Sequence, residues 1–158
     1  MTAPALEIRP YRPEDLEAII AVFMSAVREV AARDYTPEQL AAWAPAEADR
    51  EAWAKRRLNR ETWVAEVDGE VAGFTDLEPD GHIDMMFVGA RFQGRGAAGA
   101  LLDAAEASAR RQGLGRLFTE ASLTARPFFE HRGFTVLAAQ DVAVRGQVLR
   151  NFRMEKRL

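Results

Sequence analysis

The stretch from Val88 to Leu102, VGARFQGRGAAGALL, holds the residue types best suited to gripping an anion. It reads as a strand end, a loop carrying Gly89, Gly94 and Gly96, and the start of a helix. Such a junction presents unpaired backbone N–H groups at the positive end of a helix dipole, which suits phosphate. Gly94 and Gly96 let the backbone approach an oxygen that a Cβ would keep away, and Arg95 adds a cation on the rim. A glycine-rich bend without a ligand is the plain alternative.

Two phosphate readings compete. Gly94-x-Gly96-x-x-Gly99 formally matches the dinucleotide fingerprint, and Glu120 lies where a ribose-binding acid would sit. Alternatively, Gln93-x-x-Gly96-x-Ala98 is the unit.

The elements around the loop weigh against a dinucleotide domain. Leu6 to Arg9 reads as a short strand, and Pro13-Glu14-Asp15 opens a helix with Leu16, Ile19, Ile20, Phe23 and Val27 on one face. Thr36-Pro37-Glu38-Gln39 is a capping box with Pro at the first helical position. That helix stops before Pro45, and another runs roughly from Ala46 to Leu58. Trp63–Val67 and Val71–Leu77 form a hairpin around the Asp68-Gly69 turn. His82–Val88 is the next strand, with Ile83, Met85 and Phe87 on one face and His82, Asp84, Met86 and Val88 on the other. The clearest helix spans 97–112, followed by a strand over Arg116–Ala121, a helix over Thr124–Arg132, and a hairpin of Phe134–Val144 and Val148–Lys156. The order predicts mixed α/β structure around a largely antiparallel sheet of about seven strands. A dinucleotide domain would instead carry the loop in its first βα unit with further βαβ units behind it.

Composition narrows the chemistry. The chain has 158 residues, enough for one domain spanning 1–158, with 48% hydrophobic and 28% charged residues. It contains no Cys, which excludes disulfides, thiolate metal sites and a cysteine nucleophile. Its two histidines, His82 and His131, are too few for imidazole-rich metal sites, so no metal is expected. Net charge is -3, which argues against a general nucleic-acid binder. No apolar run approaches a membrane span, and Met1–Arg12 lacks the apolar core of an export signal, so a cytoplasmic protein without a membrane role is expected. Arg145, Arg150, Arg153, Lys156 and Arg157 read as charges protecting a solvated strand edge, with a basic patch as the alternative.

With these pieces in order, the chain resembles the GCN5-related N-acetyltransferases (the GNAT superfamily). Gln93-x-x-Gly96-x-Ala98 is similar to that family's Q/R-x-x-G-x-G/A signature. IRPYRPEDLEAI resembles its first strand and helix, MFVGARFQGRGAAGALLDAAE its fourth strand, loop and third helix, and EASLTARPFFEHRGF its fifth strand and fourth helix. DYTPEQLAAWAP, HIDMMFV and ARPFFEHRGF are similar to a bacterial subgroup of acetyltransferases.

The resemblance implies a sheet splayed between its fourth and fifth strands, with acetyl-CoA as co-substrate in the gap. Met86, Phe87 and Val88 would pair with the pantetheine arm, and the Val88 amide would be the oxyanion contact to the thioester. Gln93, Gly94, Arg95, Gly96, Ala97 and Ala98, with Gly99 beside them, would take the pyrophosphate. Ser122 stands where many members have Asn, and Phe128 and Phe129 would lie at the thiol end. Phe129 departs from the family, because many members carry a Tyr there that protonates the leaving thiolate. Water, Ser122 or another hydroxyl must then serve.

A neutral amine needs a base. Asp84 is the first candidate and His82 the second, whose ordinary pKa near 6.5 suits the task; a tether for the splayed strand is the alternative for Asp84. Glu120 reads as a salt-bridge or capping residue, or as part of the acceptor site. Tyr35 and Trp43, with Phe23 and Met24, are acceptor-site candidates from the first two helices. The implied function is direct acetyl transfer to a small-molecule amine in a ternary complex. The alternatives are a protein N-terminal or lysine acetyltransferase and a non-catalytic acyl-CoA sensor. A homodimer through the C-terminal hairpin is compatible with the resemblance.

Overall fold

The computed structural model describes residues 5–158, so the first four residues of the Met1–Arg12 stretch considered for an export signal lie outside the described residues. Short-range signals are realised closely. Asp68 and Gly69 adopt φ of 50° and 82°, and Arg145 and Gly146 adopt 43° and 83°, the left-handed pairs that a two-residue hairpin turn requires. They join β2 (Glu61–Val67) to β3 (Glu70–Leu77), and β7 (Thr135–Val144) to β8 (Gln147–Arg157). Thr36 caps the Gln39 amide at 3.2 Å, and the Gln39 side chain returns to the Thr36 amide at 2.8 Å, opening α2 (Pro37–Trp43).

With β1 at Leu6–Pro10, β4 at His82–Ile83, β5 at Met86–Val88 and β6 at Arg116–Ser122, the strands form two four-stranded sheets. Their orders are β1-β2-β3-β5 and β4-β6-β8-β7. All pairings are antiparallel except β4 with β6. The loop therefore follows a strand paired antiparallel to β3, which is incompatible with a dinucleotide-binding βαβ sheet.

Helices cover both faces. α1 (Leu16–Ser25), α2 and α3 (Arg50–Arg56) share a core with Val64, Phe74 and Leu149. α4 (Ala97–Arg111) and α5 (Arg126–His131) share the other with Ala65, Leu117 and Met154. No helix among the described residues is long and apolar enough to cross a membrane.

Three expectations need correction. The single strand expected over His82–Val88 is broken at Asp84–Met85, which yields eight strand segments. The break also shifts the side-chain alternation. Ile83 packs with Met86 and Val88 against the α4 side, while Met85 and Phe87 face the α1 side. Finally, the basic residues of β8 do not guard an edge. β8 lies between β6 and β7, and β7 is the outer strand.

Candidate active site

The site begins with the cause of the strand break. Asp76, on β3, is wholly buried, and its Oδ1 accepts the amides of Asp84 and Met85 at 2.9 and 3.0 Å. Two consecutive amides turned toward one carboxylate cannot both serve a strand ladder, because ladder amides alternate in direction. Arg57 and Arg60 approach Asp76 Oδ2 at 3.2 and 3.3 Å. Burial pushes the Asp76 carboxyl up from its ordinary value, opposed by the Met85 amide and both guanidinium groups.

Beyond this break β5 leaves β6 and stays with β3. The Met85 carbonyl accepts from Asp76 N, and Gly89 N donates to the Ala72 carbonyl. By alternation, the main-chain groups of Met86 and Val88 face the opposite way, toward β6. Val88 O is taken by Gln93 Nε2 at 2.8 Å, which ties the loop to the strand and leaves the Val88 N–H directed into the gap.

A cavity of about 210 Å³ occupies that gap. Of the residues singled out in the sequence, it brings together Asp84, Met86, Phe87, Val88, Gln93 and Ala98 from one side. Glu120, Ser122, Phe128, Phe129 and Trp43 complete it. His82, Tyr35, Gly94, Arg95, Gly96 and Ala97 are absent from its lining. Phe23 and Met24 are absent as well; Phe23 is core, packed edge-on against Trp53 and Phe87.

Two carboxylates face the cavity, each with a cation behind it. Asp84 Oδ2 pairs with Arg60 Nη1 at 2.8 Å, and Glu120 Oε1 pairs with His82 Nε2 at 2.8 Å. His82 Nδ1 meets Glu78 Oε1 at 3.2 Å, so both ring nitrogens face carboxylates. The Glu120 contact, joined by Glu78, raises the His82 pKa to about 9 against the opposing effect of burial. An imidazole protonated at neutral pH cannot accept the amine's proton, which corrects the expectation of His82 as a base. Glu78, His82 and Asp84 could converge on a cation, since their ligand atoms lie within 4.8 Å of one another. Arg60 Nη1 already sits among them, 3.1 Å from Glu78 and 2.8 Å from Asp84, and offsets their charge.

The Gln93–Gly96 turn feeds directly into α4. Gly94 and Gly96 have φ of 75° and 82°, in the left-handed region, and a Cβ built on either would meet nothing within 4 Å. The glycines are thus required by conformation, and the space above them is open. Gly96 caps α4 without a side chain, so the first-turn amides remain available to an anion. Ala97 contributes only its backbone, since its side chain is buried in the core. This open, uncapped helix start beside a gap lined by main-chain groups fits a pyrophosphate joined to an extended arm.

Tyr35 requires a further correction. It is buried, its hydroxyl donates to the Arg150 carbonyl at 2.5 Å, and it accepts the Leu123 amide at 3.0 Å. It fastens the helical layer to the sheet, its O–H is committed to Arg150, and it does not line the cavity. Trp43 does reach the cavity, packed edge-on against Tyr35 and Phe87. Ser122 Oγ accepts the Ala125 amide at 3.0 Å, which leaves its hydroxyl hydrogen free.

The sequence reading missed Asp76, Arg57 and Arg60, and it missed Arg33, which lines the cavity beside Val30 and Ala31. After Ser25 the chain winds through a wide π-helical turn over Ala26–Val30 and a 3₁₀ turn over Ala31–Arg33. These turns shift the helical phase, so regular spacing from Val27 does not find Arg33.

Comparison with known proteins agrees with this architecture. Residues 31–158 match the family described as Acetyltransferase (GNAT) domain. The chain is 36% identical over 149 residues to the N-acetyltransferase YafP of Escherichia coli K12, with 94% of each chain covered. It superposes on a GCN5-related N-acetyltransferase from Rhodopseudomonas palustris with a TM-score of 0.92 and 37% identity, over 100% of this chain and 98% of that one. A PaiA N-acetyltransferase from Thermoplasma acidophilum, solved in complex with coenzyme A, shares the fold. Its TM-score is 0.75 at 20% identity, with 98% and 99% of the chains covered.

Proposed function

The chain belongs to the GNAT family of N-acetyltransferases and is an acyltransferase enzyme; from that premise we propose that it transfers acetyl from acetyl-CoA directly to the amine of a small molecule, within one cytoplasmic domain spanning 1–158. The observation that carries the reading is the gap between β5 and β6, opened at Asp84–Met85 and lined by the outward main chain of Met86 and Val88. The apolar and aromatic lining from Val30, Ala31 and Trp43 supports a small acceptor with an apolar body. The coenzyme A bound by the Thermoplasma acidophilum protein supports the same co-substrate here.

Acetyl-CoA, when bound, supplies the acetyl thioester. The residues of this chain then divide the work. The loop and first-turn amides from Gln93 to Ala98, with Arg95, hold the pyrophosphate. Met86 and Val88 offer main-chain partners to the arm, and the Val88 N–H donates to the acyl oxygen. Asp84, whose Oδ1 accepts no hydrogen bond among the described residues, takes the proton from the acceptor's ammonium, while Glu120 attracts that ammonium to the cavity. The nitrogen lone pair forms the C–N bond as the C–S bond breaks. Phe129 has no proton to give, so the second proton lost by nitrogen reaches the departing sulfur through Ser122 or water. Without Cys no acyl-cysteine forms, which favours direct transfer.

The test is thiol release from acetyl-CoA with a panel of small amines, in wild type and Asp84→Asn. Amine-dependent release that falls by 10²-fold or more in the variant supports the reading. Release that no small amine stimulates rejects the small acceptor, and a kcat unchanged in Asp84→Asn from pH 6 to 9 rejects Asp84 as the base.

A further inference from the structure

The charges around the cavity do not balance internally. Asp84 has Arg60, and Glu120 has His82. Arg33 lines the same cavity, yet among the described residues no carboxylate lies within 4.0 Å of its guanidinium. Among the described residues the only hydrogen bond of its exposed side chain is a donation from Nε to the Val30 carbonyl at 3.3 Å, within its own turn. Asp34, next in the chain, is instead held by the Thr124 hydroxyl at 2.7 Å. Both terminal nitrogens of Arg33 are therefore unengaged, and they form the planar fork that suits a carboxylate.

The turn that carries this cation and the helix that follows the phosphate loop pack in different cores. Val27, Ala31 and Tyr35, which flank Arg33, pack in the core shared with α1 to α3. Ala97 and Leu101, which follow the loop, pack in the core on the opposite face of the sheet. Arg33 and the phosphate loop thus approach the shared cavity from different layers, and the proposal gives Arg33 an anion of its own. The same cavity is also lined by the apolar side chains of Val30, Trp43 and Phe87.

Resting on the acetyl-transfer reading above, we propose that the acceptor is an amino acid or similar amino carboxylate with an apolar body. Its ammonium faces Asp84 and Glu120, its carboxylate pairs with Arg33, and its side chain lies against Trp43 and Phe87. The product is then an N-acyl amino acid: the new amide removes the substrate's positive charge, and its carboxylate remains on Arg33.

The experiment compares matched pairs that differ only by the carboxylate: L-tryptophan with tryptamine, L-phenylalanine with phenethylamine, and L-leucine with isopentylamine. kcat/KM is measured for each in wild type, Arg33→Ala and Arg33→Lys, and binding of each acceptor to the coenzyme A complex is measured by calorimetry. The proposal expects at least one amino acid to exceed its amine by tenfold or more, in rate and in affinity. It further expects that ratio to fall toward one in Arg33→Ala and to be partly kept in Arg33→Lys. Amines acetylated as well as their amino acids overturn the proposal and leave the small-amine reading standing. A preference that survives Arg33→Ala assigns the carboxylate to another residue and also overturns it. If neither set is acetylated, the small-amine reading itself fails and the proposal falls with it.

Discussion

The carboxylate of Asp76 accepts the backbone amide of Asp84 at 2.9 Å across the point where the fourth strand of the sheet breaks. One buried acid on β3 thus both interrupts the neighbouring strand and places the candidate base on the cavity wall. The pair is structural on one side and functional on the other, and it links the stability of the fold to the geometry of the gap.

Asp76→Asn should expose that link. The amide oxygen can still accept from Asp84 and Met85, but an NH₂ group would replace the oxygen that faces Arg57 and Arg60. Arg57 is 7% exposed, so its charge would be left buried and poorly compensated. Breaking a buried pair in this way costs about 3–5 kcal/mol. Urea unfolding should show a loss of that order, accompanied by weaker acetyl-CoA binding. An unchanged unfolding midpoint would contradict the role given to Asp76.

His82 gives stability a pH dependence whose sign is fixed. Its folded-state pKa, about 9, lies above the ordinary 6.5. The stabilisation is therefore complete below about pH 6.5 and disappears as pH rises through 9. Glu120 is 39% exposed, so solvent screening keeps the effect to about 1 kcal/mol. Unfolding free energies from pH 6 to 10 should decline by that amount in wild type, and the decline should shrink in His82→Asn. The same slope in both proteins would place the pH dependence elsewhere.

Two glycines three residues apart should respond differently to alanine. Gly96→Ala forces a left-handed φ of 82° on a residue with a Cβ, at about 1–2 kcal/mol, and crowds the anion site. At Gly99 the added Cβ would lie 1.8 Å from Arg132 Nη2, the far end of a flexible side chain. Arg132 can swing away at the expense of its exposed contact with Asp103 at 3.3 Å. Denaturation should therefore show a clear loss for Gly96→Ala and a change within about 0.5 kcal/mol for Gly99→Ala.

Phe129→Tyr restores a hydroxyl at a cavity-lining position that is 3% exposed. A placed general acid contributes roughly 10²-fold or more where proton transfer limits the rate. In the proposed mechanism Ser122 or water fills this role, so kcat should rise about tenfold. A kcat that stays level would mean that protonation of the thiolate does not limit turnover.

The parts of this architecture that are local in sequence were legible there. The Asp68-Gly69 and Arg145-Gly146 turns, the Thr36 capping box and the glycine-rich start of α4 each depend on two to four consecutive residues. The parts that were not legible depend on distant partners. Asp76 meets Arg57 and Arg60 at separations of 19 and 16 residues, and the amides it captures lie 8 and 9 residues further along. The one available signal was an acid near the end of a strand whose other polar residues are Glu70 and Thr75. Tyr35 looked available because its partner, the Arg150 carbonyl, is 115 residues away. His82 looked like a base because its ordinary pKa suits that task, and only the fold brings Glu120 to its second nitrogen.

The central claim is that the gap between β5 and β6, with the uncapped start of α4, is an acetyl-CoA site. Thermal unfolding with no ligand, with acetyl-CoA and with NAD, each in large excess, tests it most directly. Saturation near 100 times Kd stabilises by about 2.7 kcal/mol, which should raise the midpoint by roughly 5–10 °C with acetyl-CoA alone. A rise with NAD alone, or no rise with either, would contradict it.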